Sequence, residues 1–410
     1  MSRDASPLFA GEIGQRMLAL GDLLRSTSDR WRPRPFAAVP VDWEPAAPDV
    51  SRWLRGLDHA EIDAIDADGV FGDSAPSAVR EWNTQAKALA WVGEIARATV
   101  PAPLNTRQIK RHKRAQISAF MSCVSDASGF GSQPRLVDWC CGKGHLGRLV
   151  ASQFGLTLLG IEYRKDLCES GLKLALDAGI DASFSCVDAR TELAANLIES
   201  GDTAVALHAC GALGDALLKV ATDRQPHALM LSPCCPHRVA SGPYRPRSEL
   251  GKANDIQLDQ HLLRLPTADE VGARDRRREL RRRSMAWRLG FDLLVREATG
   301  VDAYHPAGAV ARPEFDRPFG DFCHWLSARS GLPLPPRFDP DQSEAAGVER
   351  ARIARALGLV RGIYRRPLEL WLVLDRAQTQ LEAGRETTVG TFCDRALTPR
   401  NLMIISKRPL

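Results

Sequence analysis

The residues with the most chemistry in this 410-residue chain lie in a few short clusters. Asp138-Trp139-Cys140-Cys141-Gly142-Lys143-Gly144-His145-Leu146-Gly147 joins an acid to a glycine-rich turn. Glu162 and Asp188 end the next two apolar runs. His208-Ala209-Cys210-Gly211-Ala212-Leu213-Gly214-Asp215 and Ser232-Pro233-Cys234-Cys235-Pro236-His237 follow two more. Glycines at a strand-to-helix turn let the backbone approach a ligand closely and aim helix N-terminal amides at it.

Two cofactors fit this beginning, and a tight turn with no ligand is the plain alternative. Gly142, Gly144 and Gly147 match G-x-G-x-x-G, the dinucleotide fingerprint, with Glu162 where a ribose-binding acid belongs. An acid followed by a Gly-rich turn also suits S-adenosylmethionine. The turn would then cradle its amino-acid end, and Glu162 would take both ribose hydroxyls. Asp188 favours this second cofactor, because an acid there can accept from an adenine amino group; its plain alternative is a helix N-cap.

The catalytic edge should hold His208, His237 and Asp215. An oxygen acceptor must lose a proton, which either histidine can take near neutral pH while Asp215 assists or orients. Methyl transfer itself asks for an acceptor lone pair held in line with the methyl carbon. Nothing resembling Asn-Pro-Pro-Tyr follows the fourth strand, which weakens an exocyclic amine as acceptor. Cys210, Cys234 and Cys235 belong to the same loops and are candidates for contacting substrate. Soft thiolates suit zinc or iron–sulfur, but no C-x₂-C pair is present and adjacent cysteines are poor ligands for one tetrahedral centre. No metal is therefore expected. A nucleophilic Cys234 after Pro233 and simple packing cysteines are the other two readings.

These clusters need a scaffold that sets strand ends side by side. The expected strands are Leu136–Cys140, Leu158–Tyr163, Ala182–Val187, Thr203–His208 and Ala228–Ser232. Helical segments at 145–155, 164–178, 190–200 and 212–223 separate them, and Gly179 stops the second. This alternation predicts a doubly wound α/β fold, in which ligands bind outside the carboxyl ends of the strands. Leu368–Leu374 and Leu402–Ser406 are expected as closing strands. The plan divides into an N-terminal helical region (1–105), the cofactor half of the core (106–240), an Arg-rich helical insert (241–366) and the closing strands (367–410).

Composition narrows the partners. At 44% hydrophobic and 26% charged, the chain carries enough apolar material for a sizeable core and is neither collagen-like nor wholly disordered. Its formal charge is +5. Arg264–Arg288 holds nine arginines against four acids and accounts for all of that charge. A localised excess of this kind points to a polyanionic partner. Arg276, Arg277, Arg278, Arg281, Arg282 and Arg283 are its candidate phosphate contacts, with Trp287 and Phe291 as stacking platforms or core. A solvated helix face with Asp275 and Glu279 as local partners is the alternative. No apolar run approaches the roughly 18 residues of a membrane helix, and the early charges of Met-Ser-Arg-Asp-Ala-Ser do not read as a signal peptide. Ten cysteines without a disulfide-like spacing suit a reducing cytoplasm. Oligomeric state is left open.

Taken together, Asp138, Cys141-Gly142-Lys143-Gly144-His145-Leu146, His208-Ala209-Cys210-Gly211, Cys234-Cys235, Leu374-Asp375-Arg376 and Thr398-Pro399-Arg400-Asn401 resemble one class I methyltransferase family. That family groups eukaryotic methyltransferase-like proteins with tRNA 2′-O-methyltransferases. The resemblance covers about 105–240 and 366–408, less than half of the chain. It implies a Rossmann-like, seven-stranded, mostly parallel sheet whose last strand inserts antiparallel. It also implies a basic helix over Gln108–Ala119, with Lys110 and His112, just before the first strand. Asp138, Cys140, Gly142, Gly144, Glu162, Asp188 and His208 become the expected cofactor contacts, with S-adenosylmethionine as cofactor and RNA as the favoured substrate. A protein or small-molecule acceptor is the alternative, as is a cofactor-binding scaffold without catalysis. Cys140 stands where the family has its first glycine. A cysteine is expected there only at negative φ, so the turn should differ.

Overall fold

Strand and helix alternate over residues 135–234 because apolar runs too short to be helices are punctuated by glycines and capping residues. A computed structural model of the chain describes residues 6–97, 109–127, 135–239, 242–268 and 275–409. It divides into two units. One comprises Met1–Arg25, Ala88–Asp269 and Arg365–Leu410; the other comprises Ser26–Lys87 and Glu270–Tyr364. The N-terminal stretch and the insert therefore each contribute to both.

The first unit holds a seven-stranded sheet. Its strands are β1 (Arg135–Trp139), β2 (Thr157–Glu162), β3 (Ala182–Cys186), β4 (Thr203–Cys210), β5 (Ala228–Cys234), β6 (Glu386–Thr391) and β7 (Leu402–Lys407). They lie in the order β3-β2-β1-β4-β5-β7-β6. β1 to β5 pair in parallel, while β7 runs antiparallel to both β5 and β6. This is the sheet that the resemblance implied. The order reverses between β1 and β4, which places a ligand crevice at their carboxyl ends.

The relevant helices of this unit are α1 (Arg111–Ala127), α2 (His145–Phe154), α3 (Lys165–Leu176), α4 (Ala212–Arg224) and α5 (Arg365–Glu382). α1 takes the place of the expected basic helix; Gln108 lies outside the described residues. Leu136 and Leu158 pack on one face of the sheet with Phe120 and Val150, whereas Val137 and Leu159 pack on the other with Leu218 and Leu229. Both faces are covered, so the strands read as unbroken apolar runs. Leu8 and Glu94 form isolated bridges to Val389 and Thr391 on β6, covering an otherwise open edge.

One expected strand is corrected. Leu368–Leu374 lies inside α5, where every residue from Pro367 to Ala377 is buried. A short run in which six of seven residues are apolar, Glu369 being the exception, fits a strand or an all-round buried helix, and periodicity cannot separate them. The sixth strand is instead the polar segment Glu386–Thr391, an edge strand with no apolar signature.

The second unit is helical. Trp287, Phe291, Phe315, Phe319 and Phe322 form its core, and the Trp287 indole donates to Glu344 Oε1 at 2.7 Å. Trp287 and Phe291 are thus core residues and not exposed stacking platforms. No described helix is long and apolar enough to cross a membrane.

Candidate active site

The loop after β1 is folded by three left-handed residues, Cys140 (φ 57), Gly142 (φ 59) and Gly144 (φ 63). Cys140 is therefore left-handed, which corrects the expectation that a cysteine stands here only at negative φ. A non-glycine residue pays about 1–2 kcal/mol for it. The surrounding bonds hold it there: Cys141 N donates to Ile161 O at 3.0 Å and Gly144 N to Cys141 O at 2.9 Å. Glu162, at the end of β2, accepts from Gly142 N on one oxygen and from Arg164 N on the other, both at 3.0 Å.

Asp138 Oδ2 accepts from Gly147 N at 2.8 Å and anchors the first turn of α2. A Cβ on Gly147 would fall 2.6 Å from Leu158 and 2.8 Å from Asp138, so only glycine lets the helix sit this close. Burial pushes the Asp138 carboxyl up to about 7, against the Gly147 hydrogen bond and the Lys113 charge. Burial likewise pushes the Cys140 thiol up to about 12, leaving it protonated and unreactive. Open space remains beside Gly142, where a Cβ would meet nothing within 4 Å. Backbone amides, an open cradle and the Glu162 carboxylate fit the amino-acid and ribose ends of S-adenosylmethionine. Asp188 is half-buried and ion-paired with Arg190 at 2.6 Å, which holds its carboxyl down at about 2. It accepts from Arg190 N as well and does not cap a helix; Thr191 occupies that place.

His208 sits on β4 at a register irregularity between Leu207 and Ala209, with φ 64. Such bulges re-aim a side chain next to a site. Its Nε2 lies 3.3 Å from Gln116 Oε1 on α1. Gln116 Nε2 donates to Leu397 O at 3.2 Å and lies 3.0 Å from His112 Nε2. A carbonyl only accepts, so the Gln116 amide nitrogen must face Leu397 and its oxygen must face His208. The hydrogen-bond network thereby puts the His208 proton on Nε2 and its lone pair on Nδ1. Burial, opposed by Cys235, pushes His208 down to about 4 and keeps it neutral. Sequence reasoning missed Gln116, although it stands one helical turn from His112.

The other two catalytic candidates differ. His237 is half-buried, with Nδ1 3.4 Å from Thr267 Oγ1, and burial lowers its pKa. Asp215 is committed to structure: one oxygen accepts from Arg376 Nε at 2.8 Å and the other from Arg247 at 2.7 Å. Asp375, fully buried, accepts from Tyr244 Oη, Arg247 N, Ser248 N and Ser248 Oγ, clamping the segment after β5 onto α5. Glu369 joins Arg366 at 2.7 Å and Arg400 at 3.0 Å, and Asn401 ties Arg366 to Cys393 O. The Asp375-Arg376 and Arg400-Asn401 pairs are thus braces that set the loops.

Cys210 and Cys234 are opposite one another on β4 and β5. Their sulfurs are 3.0 Å apart, and each also approaches His208 O. Cys235 follows with φ 47, and all three sulfurs lie within 4.8 Å of one another. Hydrogen bonds from Cys210 and Cys234 hold Cys235 far below the usual thiol range, while Cys234 is pushed up. Beside them is a small open pocket lined by Pro233, Cys234, Pro236, Glu369, Arg376 and Arg400, among others.

The Arg candidates belong to the second unit, on helix Asp275–Thr299. Arg282 pairs with Asp63 at 2.9 Å and Glu279 at 2.8 Å, and Arg283 donates to Phe315 O at 3.3 Å. Arg281 and Arg283 are exposed and Arg278 is half-buried. The side chains of Arg276 and Arg277 lie outside the described residues.

Strand order and loop define a class: the Rossmann-like class I methyltransferases. Residues 112–242, about a third of the chain, match the family model described as a methyltransferase domain. This segment is a methyltransferase domain, and S-adenosylmethionine is the cofactor of its class. No curated protein matches the chain. Among solved structures it is similar to a Pyrococcus abyssi tRNA (uracil-54, C5)-methyltransferase in complex with S-adenosyl-L-homocysteine, at 19% identity, 30% of this chain, 29% of that chain and a TM-score of 0.24. It is also similar to an rRNA methylase from Streptococcus thermophilus (16% identity, 30% and 72% covered, TM-score 0.22). A third is the cyclopropane synthase of Mycobacterium tuberculosis (12% identity, 86% and 98% covered, TM-score 0.24). The chain spans less than a third of the length of the first of these.

Proposed function

We propose that the protein transfers a methyl group from S-adenosylmethionine to RNA by in-line displacement. The observation that carries the RNA acceptor is the Arg264–Arg288 stretch, where nine arginines stand against four acids. Arg281 and Arg283 are exposed on its helix, and phosphate contacts of this kind supply most sequence-independent affinity for nucleic acid. The family resemblance supports the same substrate.

S-adenosylmethionine supplies a methyl carbon already activated by its sulfonium. The chain has to hold and align. The Cys140–Gly144 backbone and Glu162 bind the amino-acid and ribose ends, and Asp188 accepts from the adenine amine. His208 Nδ1, presented by Gln116, takes the proton from the acceptor. Cys140 takes the left-handed conformation that glycine favours, which weighs against a silent scaffold.

A tritium-transfer assay tests this on total RNA, on protein lysate and on a metabolite extract. Label in RNA is expected. A second reading is a small-molecule acceptor held in the pocket beside Cys234, where apolar walls from Ala209, Pro233, Leu372 and Val373 meet a few charged groups. Label confined to the metabolite extract would establish it and overturn RNA, and label confined to protein would overturn both. Replacing Arg276, Arg277, Arg278, Arg281 and Arg283 by serine, with Arg282 kept for its Asp63 bond, should weaken tRNA binding. The salt slope should shrink by about 0.9 for each phosphate that is no longer neutralised. Unchanged retention would place RNA binding elsewhere on the chain.

A further inference from the structure

We infer that Cys210, Cys234 and Cys235 form a binding site for a soft divalent cation, zinc foremost, at the carboxyl edge of β4 and β5. Adjacent cysteines on a strand point to opposite faces and cannot share a metal. Here they do not behave as strand neighbours. Cys235 is left-handed at φ 47, which breaks the alternation and turns its sulfur back toward that of Cys234. Cys210 arrives from the paired strand, directly opposite Cys234.

The three sulfurs lie within 4.8 Å of one another, and the shortest separation is 3.0 Å. Tetrahedral zinc with bonds of about 2.3 Å needs sulfurs about 3.8 Å apart, inside that span. The backbone is bent to achieve this convergence. Gly211, next to Cys210, has φ 51, and a Cβ on it would fall 2.1 Å from Arg238 O. His208, two residues before Cys210, has φ 64. Strained residues of this kind persist where the surrounding structure imposes them and concentrate at functional sites. Packing alone gives no reason to gather three thiols with such a backbone.

Thiolates select soft ions over magnesium or calcium. Wherever a ligating sulfur is still a thiol, its bond to the metal replaces an S–H bond and the proton leaves to solvent. Three protein ligands leave one coordination position, as open zinc sites do, and Cys234 also lines the pocket. Water or an acceptor heteroatom entering that pocket would complete the shell. The inference stands whichever acceptor the enzyme uses, because it is read out by metal and not by methyl transfer.

The test is metal content of the full chain purified under reductant, followed by cobalt substitution. Close to one zinc per chain is expected, with a near-ultraviolet thiolate-to-cobalt band and the visible absorption of tetrahedral cobalt. Cys210→Ala and Cys235→Ala should each lower affinity at least about tenfold, while Cys186→Ser, an exposed cysteine outside the cluster, should keep the metal. Circular dichroism melting shows whether each variant is folded. The reduced native chain also reports without any variant: absence of both zinc and a cobalt band overturns the site. So does a cobalt band that survives replacement of all three cysteines, or a Cys210–Cys234 disulfide recovered from the freshly isolated chain in place of metal.

Discussion

The cofactor loop and the acceptor edge stand at the carboxyl ends of the same parallel strands and are built on opposite principles. In the loop, two of three left-handed positions are glycine; Glu162 accepts from the loop amide of Gly142, and Asp138 accepts from Gly147 in the first turn of α2. Its one left-handed side chain, Cys140, is protonated and inert. At the edge the left-handed positions include His208 and Cys235, whose side chains carry the nitrogen proposed as base and one of the sulfurs proposed as metal ligands. Strain in the loop shapes a cradle, whereas strain at the edge aims a functional group. Binding and chemistry are thus separable within one site.

The sharpest way to break this contrast is at His208. His208→Ala should lower the methyl-transfer rate by about 10²–10⁴-fold, the usual worth of a positioned base, while calorimetry still finds S-adenosylmethionine bound. Gln116→Glu should act in the same direction more weakly and move the pH profile, because a carboxylate facing Nε2 raises the histidine pKa. Loss of cofactor binding in His208→Ala would merge the two regions into one.

A pH effect of intermediate size belongs to the loop. Asp138 titrates at about 7 in the folded chain against an ordinary 3.8. Between those values the folded state keeps a proton that the unfolded state has released, so this group's stabilising contribution is present at low pH and lost as pH rises to about 7. A bound cofactor brings positive charge and favours the carboxylate. S-adenosylmethionine affinity should therefore rise between pH 6 and pH 8 with proton release, measured by calorimetry in buffers of different ionisation enthalpy. A flat affinity would mean that Asp138 stays neutral and serves Gly147 alone.

The smallest effect is Cys140→Gly. Removing the left-handed penalty should stabilise the chain by about 1 kcal/mol, seen as a higher melting temperature, with cofactor binding intact. Destabilisation would show that the Cys140 side chain holds the loop through packing.

Much of this site is legible in the sequence alone. Asp138, Gly142, Gly144, Glu162 and Asp188 are recognisable as candidates because they lie at or just beyond the ends of consecutive expected strands, and local spacing alone puts them there. Asp215 misled: an acid near the catalytic edge looks the same in sequence whether it faces substrate or, as here, two arginines from 32 and 161 residues away. α5 misled for a related reason, since its apolar run records burial on all sides and not the secondary structure that achieves it.

The sequence by itself determined the alternation of strand and helix, the glycine loop, the acids that close it and the location of the net charge. These depend on period, turn chemistry and composition, all of which act over a few residues. Only the tertiary structure decided which nitrogen of His208 is free, that Asp375 and Arg376 are braces, and that Cys210, Cys234 and Cys235 converge. Those outcomes depend on β4 pairing with β5, on Gln116 reaching across 92 residues to His208 and on the left-handed backbone of Cys235. Contacts between distant parts of the chain select among backbone conformations that the local sequence leaves equally open.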